Sequence, residues 1–362
     1  MNKIIYLDAA ATYQKNDVVI QAEVDFLKNK YANSGRGICQ RVIDVDNMLQ
    51  NARECVADFI GARANQVVFT SGTTDAINKI VHMLNLTSKH VVAVSDLDHH
   101  SARLPFEMSG AGVVVCPLDE NYNIDINNIP YADVFVITAM SNVIGVQQDV
   151  AQIIKRAKQK NPNVITVVDA AQSVVHNEID VMKFACDFLC FSGHKIGADT
   201  GVGIMYIKNP DAYKPVVFGG GMVNKIVSGN VIFNAAPDLF EAGTLPLTQI
   251  AGLVYAIDNI RKNRPDLSLV KYMYDELSKI ERIKFISNRD SALVSFVIDG
   301  MHVLDFGVLI GARGVCLRVG NMCASWIHQY LGIDGSVRIS VGTYNTYDEV
   351  KQVIEYIKEI VK

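Results

Sequence analysis

The 362 residues are too many for one ordinary hydrophobic core, and 49% hydrophobic with 20% charged residues describes a globular chain rather than a disordered one. Mixed along the chain, 34 basic and 38 acidic residues leave a formal net charge of −4, which supplies no basic field and excludes a nucleic-acid partner. The N-terminus lacks a signal-peptide pattern and no apolar run approaches a membrane span, so a cytoplasmic, membrane-free protein is expected.

Helical periodicity covers 18–30 and 42–59, the second stopped at Gly61. Apolar runs of strand length then alternate with helical ones. Strands are expected at 67–70, 91–95, 113–116, 134–138, 165–168, 188–191 and 202–207, with helices such as 74–86 and 150–160 between them. This alternation predicts an α/β fold built on a doubly wound, mainly parallel seven-stranded sheet, which binds ligands at the carboxyl ends of its strands. Around Gly219-Gly220-Gly221 the pattern breaks into a glycine-hinged loop or hairpin over 215–237. A helix over 247–262 leads to an α+β remainder: a helix from Leu267, strand 292–298, helix 303–311, strand 337–341 and helix 347–361. The expected division is a large domain, 16–255, and a small C-terminal domain, 256–362, to which the segment 1–15 also belongs.

Seven scattered cysteines, with no Cys-x-x-Cys pair, make neither a disulfide framework nor a zinc site, and most read as small core residues. Three strand ends carry other chemistry. Phe188-Leu189-Cys190-Phe191 runs into Ser192-Gly193-His194-Lys195 and delivers a lysine to the end of a buried strand. Desolvation there lowers the amine pKa and makes a nucleophile, although a loop lysine facing water is an equal reading of these eight residues alone. A second run ends in Asp169, which also reads as a helix cap. The third passes through Ser71-Gly72-Thr73-Thr74 into a helix, where free N–H groups and hydroxyls bind phosphate, though Ser and Thr are ordinary caps as well. Together these are a Schiff-base lysine, an acid able to hold a pyridinium proton, and a phosphate cradle, the parts of a pyridoxal phosphate (PLP) site.

With these motifs the sequence resembles the cysteine desulfurase and selenocysteine lyase family of fold-type I, class V aminotransferase-like PLP enzymes, nearest its group II branch. The match runs nearly end to end. It includes Tyr6-Leu7-Asp8-Ala9-Ala10-Ala11-Thr12, Arg36-Gly37-Ile38, Asp98-His99-His100, Ser141-Asn142-Val143-Ile144-Gly145, Phe240-Glu241-Ala242-Gly243-Thr244 and Arg318-Val319-Gly320-Asn321-Met322-Cys323-Ala324. The resemblance implies a PLP-dependent homodimeric enzyme that converts L-cysteine to L-alanine and leaves the sulfur on Cys323 as a persulfide for a sulfur-acceptor protein. Lys195 would carry PLP and move the substrate α-proton. Thr73, Thr74, Ser192 and His194 would hold the phosphate, Asp169 the pyridine nitrogen, and Asn142 and Gln172 the ring hydroxyl. His99 would stack on the ring. Arg338 would fork onto the substrate carboxylate, with Asn142 and Arg318 beside it, and Thr244 would reach the phosphate of the other subunit.

The chain departs from the group II pattern at Asn321 and Met322, where two histidines are usual, and at Gly35, Ser71, Asp75 and Ala198-Asp199. These changes cluster around substrate and cysteine. Two other readings follow: an enzyme for selenocysteine, cysteine sulfinate or another amino acid, and a non-catalytic PLP-fold sulfur carrier or partner-binding protein.

Overall fold

The computed structural model of the chain describes residues 4–35 and 37–362; Arg36 of the motifs above lies outside them. Seven strands form one sheet in the order Val67–Thr70, Gly203–Ile207, Phe188–Ser192, Ile165–Asp169, Val134–Thr138, Val91–Ser95, Gly112–Cys116. Each lies within one residue of its expected bounds. All neighbours run parallel except Gly203–Ile207, which is antiparallel to both of its partners. Ten residues separate it from Phe188–Ser192, too few for a helical crossover, so the chain returns in the opposite sense.

Both sheet faces are covered, as the continuous apolar runs require. Ala76, Ile77 and Ile80 of the helix Thr73–Leu84 pack with Val68, Val136 and Phe188 on one face. On the other, Phe69, Phe135, Val168 and Leu189 meet Val56 and Ile60 of Gln40–Ile60, Ile153 of Val150–Lys160, and Ile257 and Ile260 of Leu247–Lys262. That last helix therefore carries the larger core past the boundary expected between 255 and 256. The helix expected over 18–30 is α-helical over Asp17–Asp25 and continues as a π-helical turn, Phe26–Lys30, whose Phe26 packs with Leu247 and Ala251.

A second, four-stranded antiparallel sheet has the order Ile283–Phe285, Val294–Ile298, Ser336–Ile339, Arg318–Gly320. Helices Leu267–Leu277, Val303–Gly311 and Tyr347–Val361 cover it. Ile5–Tyr6 pairs in parallel with Val315–Cys316, and Ile5 and Leu7 join this smaller core. An exposed hairpin, Val223–Val227 and Asn230–Phe233, turns at Ser228 and Gly229, both with positive φ.

The register of the large sheet aligns the chemistry. Thr138 lies opposite Asp169 and Ser192 opposite Gly203, so the strand ends form one rim. Gly203 also faces Gly72, where a Cβ added to Gly203 would come within 2.4 Å of the Gly72 Cα. Only glycine lets the turn before helix Thr73–Leu84 sit directly on that strand.

Candidate active site

Strand Phe188–Ser192 is fully buried and ends in a single 3₁₀ turn, Gly193–Lys195, which aims the lysine back across the rim. Its Nζ donates to the carbonyls of Ala10 at 2.8 Å and Ala11 at 3.0 Å. Burial lowers the Lys195 amine to about 8; Arg338 adds to the fall, while Asp169 and Asp8 oppose it. At the neighbouring strand end, burial pushes the Asp169 carboxyl up to about 6, and its Oδ1 accepts from Ala171 N at 2.9 Å.

Across the rim, Ser192 Oγ accepts from Thr73 N at 2.9 Å and lies 2.8 Å from Thr73 Oγ1. Helix Thr73–Leu84 starts at this point, with its free N–H groups and the positive end of its dipole turned to the same place. His194 Nδ1 lies 3.2 Å from Thr12 Oγ1, and burial together with Lys195 lowers its imidazole to about 4. Gln172 Nε2 donates to Ala10 O at 2.8 Å. His99 caps helix His100–Glu107: its Nδ1 accepts from Ser101 N at 3.1 Å, which leaves the proton of the neutral ring on Nε2. Burial first, then the charges of Lys195, His100 and Arg338, lower His99 to about 4, so the ring is neutral at physiological pH.

Thr73, Thr74, His99, Asn142, Asp169, Gln172, Ser192, His194 and Lys195 line one cavity of about 260 Å³. Thr244 does not join them. It is exposed and lines a different cavity with Asp46, Gly220 and Gly243. Its turn is fixed by Glu241, which pairs with Arg53 at 2.7 and 2.8 Å and accepts from Phe69 N at 2.7 Å. Burial and a bidentate partner make this a rigid clamp between the turn and the strand that leads to Thr73.

Arg338 lies in the inner strand Ser336–Ile339 and is only 2% exposed. Its Nη2 meets Asp8 Oδ1 at 2.8 Å, its Nη1 donates to Asn142 O at 2.9 Å, and its Nε is buried without a partner. Asp8 also holds Arg318, Nη2 to Oδ2, at 2.6 Å. Arg318 is thus matched by a carboxylate rather than left as a free positive neighbour for Cys323. Asp8 is the functional residue that the sequence did not single out, although its position as an acid ending the apolar run Ile4-Ile5-Tyr6-Leu7 was a signal.

Cys323 is exposed, on a turn in which Met322 and Cys323 have φ of 52° and 53°. Asn142 Nδ2 donates to Met322 O at 2.9 Å, and His100 N to Cys323 O at 2.7 Å. Ser325 N donates to His100 Nε2 at 3.2 Å. The thiol opens on an outer cavity of about 650 Å³ whose wall includes Thr74, His99 and Ser101, three residues that also line the lysine cavity. Of the other cysteines, Cys116, Cys186 and Cys190 are buried, whereas Cys39 and Cys316 are exposed rather than core residues. Among the departures, Asp75 accepts from Ser71 N at 3.0 Å and pairs with Lys79 at 2.9 Å, and Asp199 pairs with Lys15 at 2.8 Å.

The inner cavity fits PLP. It offers an acid that could pair with a ring nitrogen, a helix N-terminus with two hydroxyls for a phosphate, an amine on its wall, and the buried, unpartnered Asn142 Oδ1 for a polar ring substituent.

A lysine, an acid and a phosphate cradle along one rim of a doubly wound sheet define the fold-type I PLP-dependent class. The Aminotransferase class-V family model matches residues 5–353, and the chain belongs to that PLP-dependent family. A probable cysteine desulfurase of Vibrio cholerae is 32% identical, over 99% of this chain and 94% of its own. The apo structure of a cysteine desulfurase from Thermococcus onnurineus superposes with a TM-score of 0.94 at 29% identity, covering 99% of this chain and 94% of that one. The crystal structure of the cysteine desulfurase CsdA (S-sulfonic acid) from Escherichia coli gives 0.90 at 29% identity, covering 99% and 96%.

Proposed function

We propose that this protein is a PLP-dependent L-cysteine desulfurase that releases L-alanine and keeps the sulfur on Cys323 for an acceptor protein. The observation that carries the reading is the shared wall of Thr74, His99 and Ser101 between the cavity of Lys195 and the outer cavity of Cys323. PLP, when bound, supplies an electron sink for the bonds at the substrate α-carbon.

Thr73, Ser192, His194 and the helix N-terminus would hold the phosphate, and Asp169 the ring nitrogen. The guanidinium of Arg338 would take the substrate α-carboxylate; with Asp8 and Arg318 it forms a set of net charge +1, which an anion neutralises. Lys195, with its amine at about 8, takes the α-proton near neutral pH and can return it. His99 closes the ring face as a neutral imidazole with a donor at Nε2. The Cys323 thiolate attacks the substrate sulfur. The Cβ–S bond breaks, an S–S bond forms, and the electron pair left on Cβ takes a proton to give alanine, so no outside oxidant or reductant is needed.

The reading includes a homodimer. Thr244 is turned away from its own lysine cavity, and the nearby hairpin exposes Ile226, Val231 and Ile232, which suits contact with a second copy. It also includes a larger cofactor-holding domain and a smaller one that brings Arg338 and Cys323. Among the described residues no helix is long and apolar enough to cross a membrane, and the reading places the enzyme in the cytoplasm, where Cys323 is kept as a free thiol between turnovers. An amino-acid panel assayed for alanine and sulfide tests the function. L-cysteine should give alanine, with sulfide appearing only when a thiol reductant is added; alanine from cysteine sulfinate or selenocysteine alone would reject it.

A further inference from the structure

Asn142 sits where three parts of the site meet. Its side-chain nitrogen donates to Met322 O, its main-chain oxygen accepts from Arg338, and its side chain lines the Lys195 cavity. A carbonyl oxygen only accepts, so the amide nitrogen must be the atom that faces Met322. Oδ1 is then the atom left over, buried and without a partner. An acceptor in that state costs free energy until a donor reaches it.

The turn that Asn142 holds does not favour itself. Two successive side-chain-bearing residues, Met322 and Cys323, lie in the left-handed region, which sterics disfavour for both. Within the turn one main-chain bond supports them, Ala324 N to Asn321 O at 2.9 Å. From outside, Asn142 Nδ2 and His100 N secure the two consecutive carbonyls.

We propose that Asn142 is the positioning residue of the sulfur-accepting turn: Nδ2 docks Met322 and so sets Cys323 at the cavity mouth, while Oδ1 takes a donor from the cavity's occupant, so that filling the cavity locks the turn. This rests on the reading of the inner cavity as a PLP site and of Cys323 as the thiol that receives sulfur. Asn142 thereby links the occupied state of the inner cavity to the placement of a nucleophile carried by the other sheet.

Alkylation of Cys323 tests the proposal without relying on turnover. Trypsin cleaves at Arg318 and separates the Cys316 and Cys323 peptides, so the exposed Cys316 is an internal reference. Iodoacetamide rates are compared for holoenzyme of wild type, Asn142→Ala and Asn142→Asp; aspartate keeps the side-chain shape but offers Met322 no donor. Both variants should alkylate Cys323 about five-fold faster, the worth of one hydrogen bond, with Cys316 unchanged. Adding PLP to apoprotein should slow Cys323 in wild type and not in the variants. Rates within about two-fold of wild type in both variants, no slowing by PLP in wild type, or equal slowing in Asn142→Ala would each overturn the proposal. Should the variants not retain PLP, the apoproteins decide, because the bond to Met322 is made by the protein alone. Should wild type take up no PLP at Lys195, the cofactor reading and the lock fail together, while the apoprotein rates still decide whether Asn142 docks the turn.

Discussion

The amine of Lys195 should titrate far below an ordinary lysine, and pH is the perturbation that shows it. Burial, with the charge of Arg338 added, brings the group from 10.5 to about 8, and only part of that fall is recovered from Asp169 and Asp8. At pH 7.5 an amine of pKa about 8 is roughly one quarter neutral, against on the order of 0.1% for one at 10.5, a ratio of a few hundred. The neutral form is the nucleophile, so reactivity rises with pH and levels off above about 8 instead of climbing through 10.5. Reductive methylation of apoprotein between pH 6.5 and 10.5, followed by mass spectrometry of the Lys195 peptide, measures this against the exposed Lys225. Arg338→Ala removes a like charge and should move the midpoint up, whereas Asp169→Asn should move it down. A Lys195 profile that still rises above pH 10, or one unmoved by Arg338→Ala, would refute the reasoning.

Asp8→Ala leaves the buried Arg338 guanidinium without its carboxylate, and should cost about 3 kcal/mol in denaturant unfolding; a loss below about 1 kcal/mol would contradict the buried Asp8–Arg338 pair. Gly203→Ala places a methyl group 2.4 Å from Gly72 Cα and must displace the phosphate turn. PLP affinity, read by absorbance titration, should fall at least about ten-fold, because the helix N-terminus no longer faces the phosphate; an unchanged affinity would count against the cradle. Thr244→Ala should also weaken PLP binding although Thr244 lies outside its own chain's lysine cavity, and light scattering should give a dimer. A monomer that still binds PLP at micromolar concentration would remove the second subunit from the account.

Periodicity made the large sheet legible because its strands are buried on both faces and read as unbroken apolar runs, Phe188 to Phe191 being the clearest. Ile283–Phe285 and Arg318–Gly320 escaped because three residues interrupted or flanked by charge carry no period. Helix His100–Glu107 was hidden by Pro105 inside it. Within the site, motif positions brought nine residues to one cavity, since each sits at or just past a strand end. Long-range pairings were invisible: Asp8 finds its arginines 310 and 330 residues away, and Asn142 reaches Met322 across 180. The resemblance supplied Arg338 where pattern alone would have left it on a solvent face; its neighbours in Ser336–Ile339 are buried too, because this strand is an inner one of its sheet. Of the residues proposed to hold the cofactor, Thr244 lines a different cavity from Lys195 within its own chain, so its proposed role depends on the proposed second subunit.

The most direct measurement of the central claim is intact-peptide mass spectrometry of Cys323 after holoenzyme meets L-cysteine without reductant. The Cys323 peptide should gain one sulfur atom in proportion to the alanine released in the first turnover, and Cys323→Ser should take up L-cysteine, seen as a change in the visible spectrum, while releasing no alanine. Alanine formed at the wild-type rate by Cys323→Ser, or a Cys323 peptide of unchanged mass after alanine has appeared, would contradict the role of Cys323 and with it the proposed reaction.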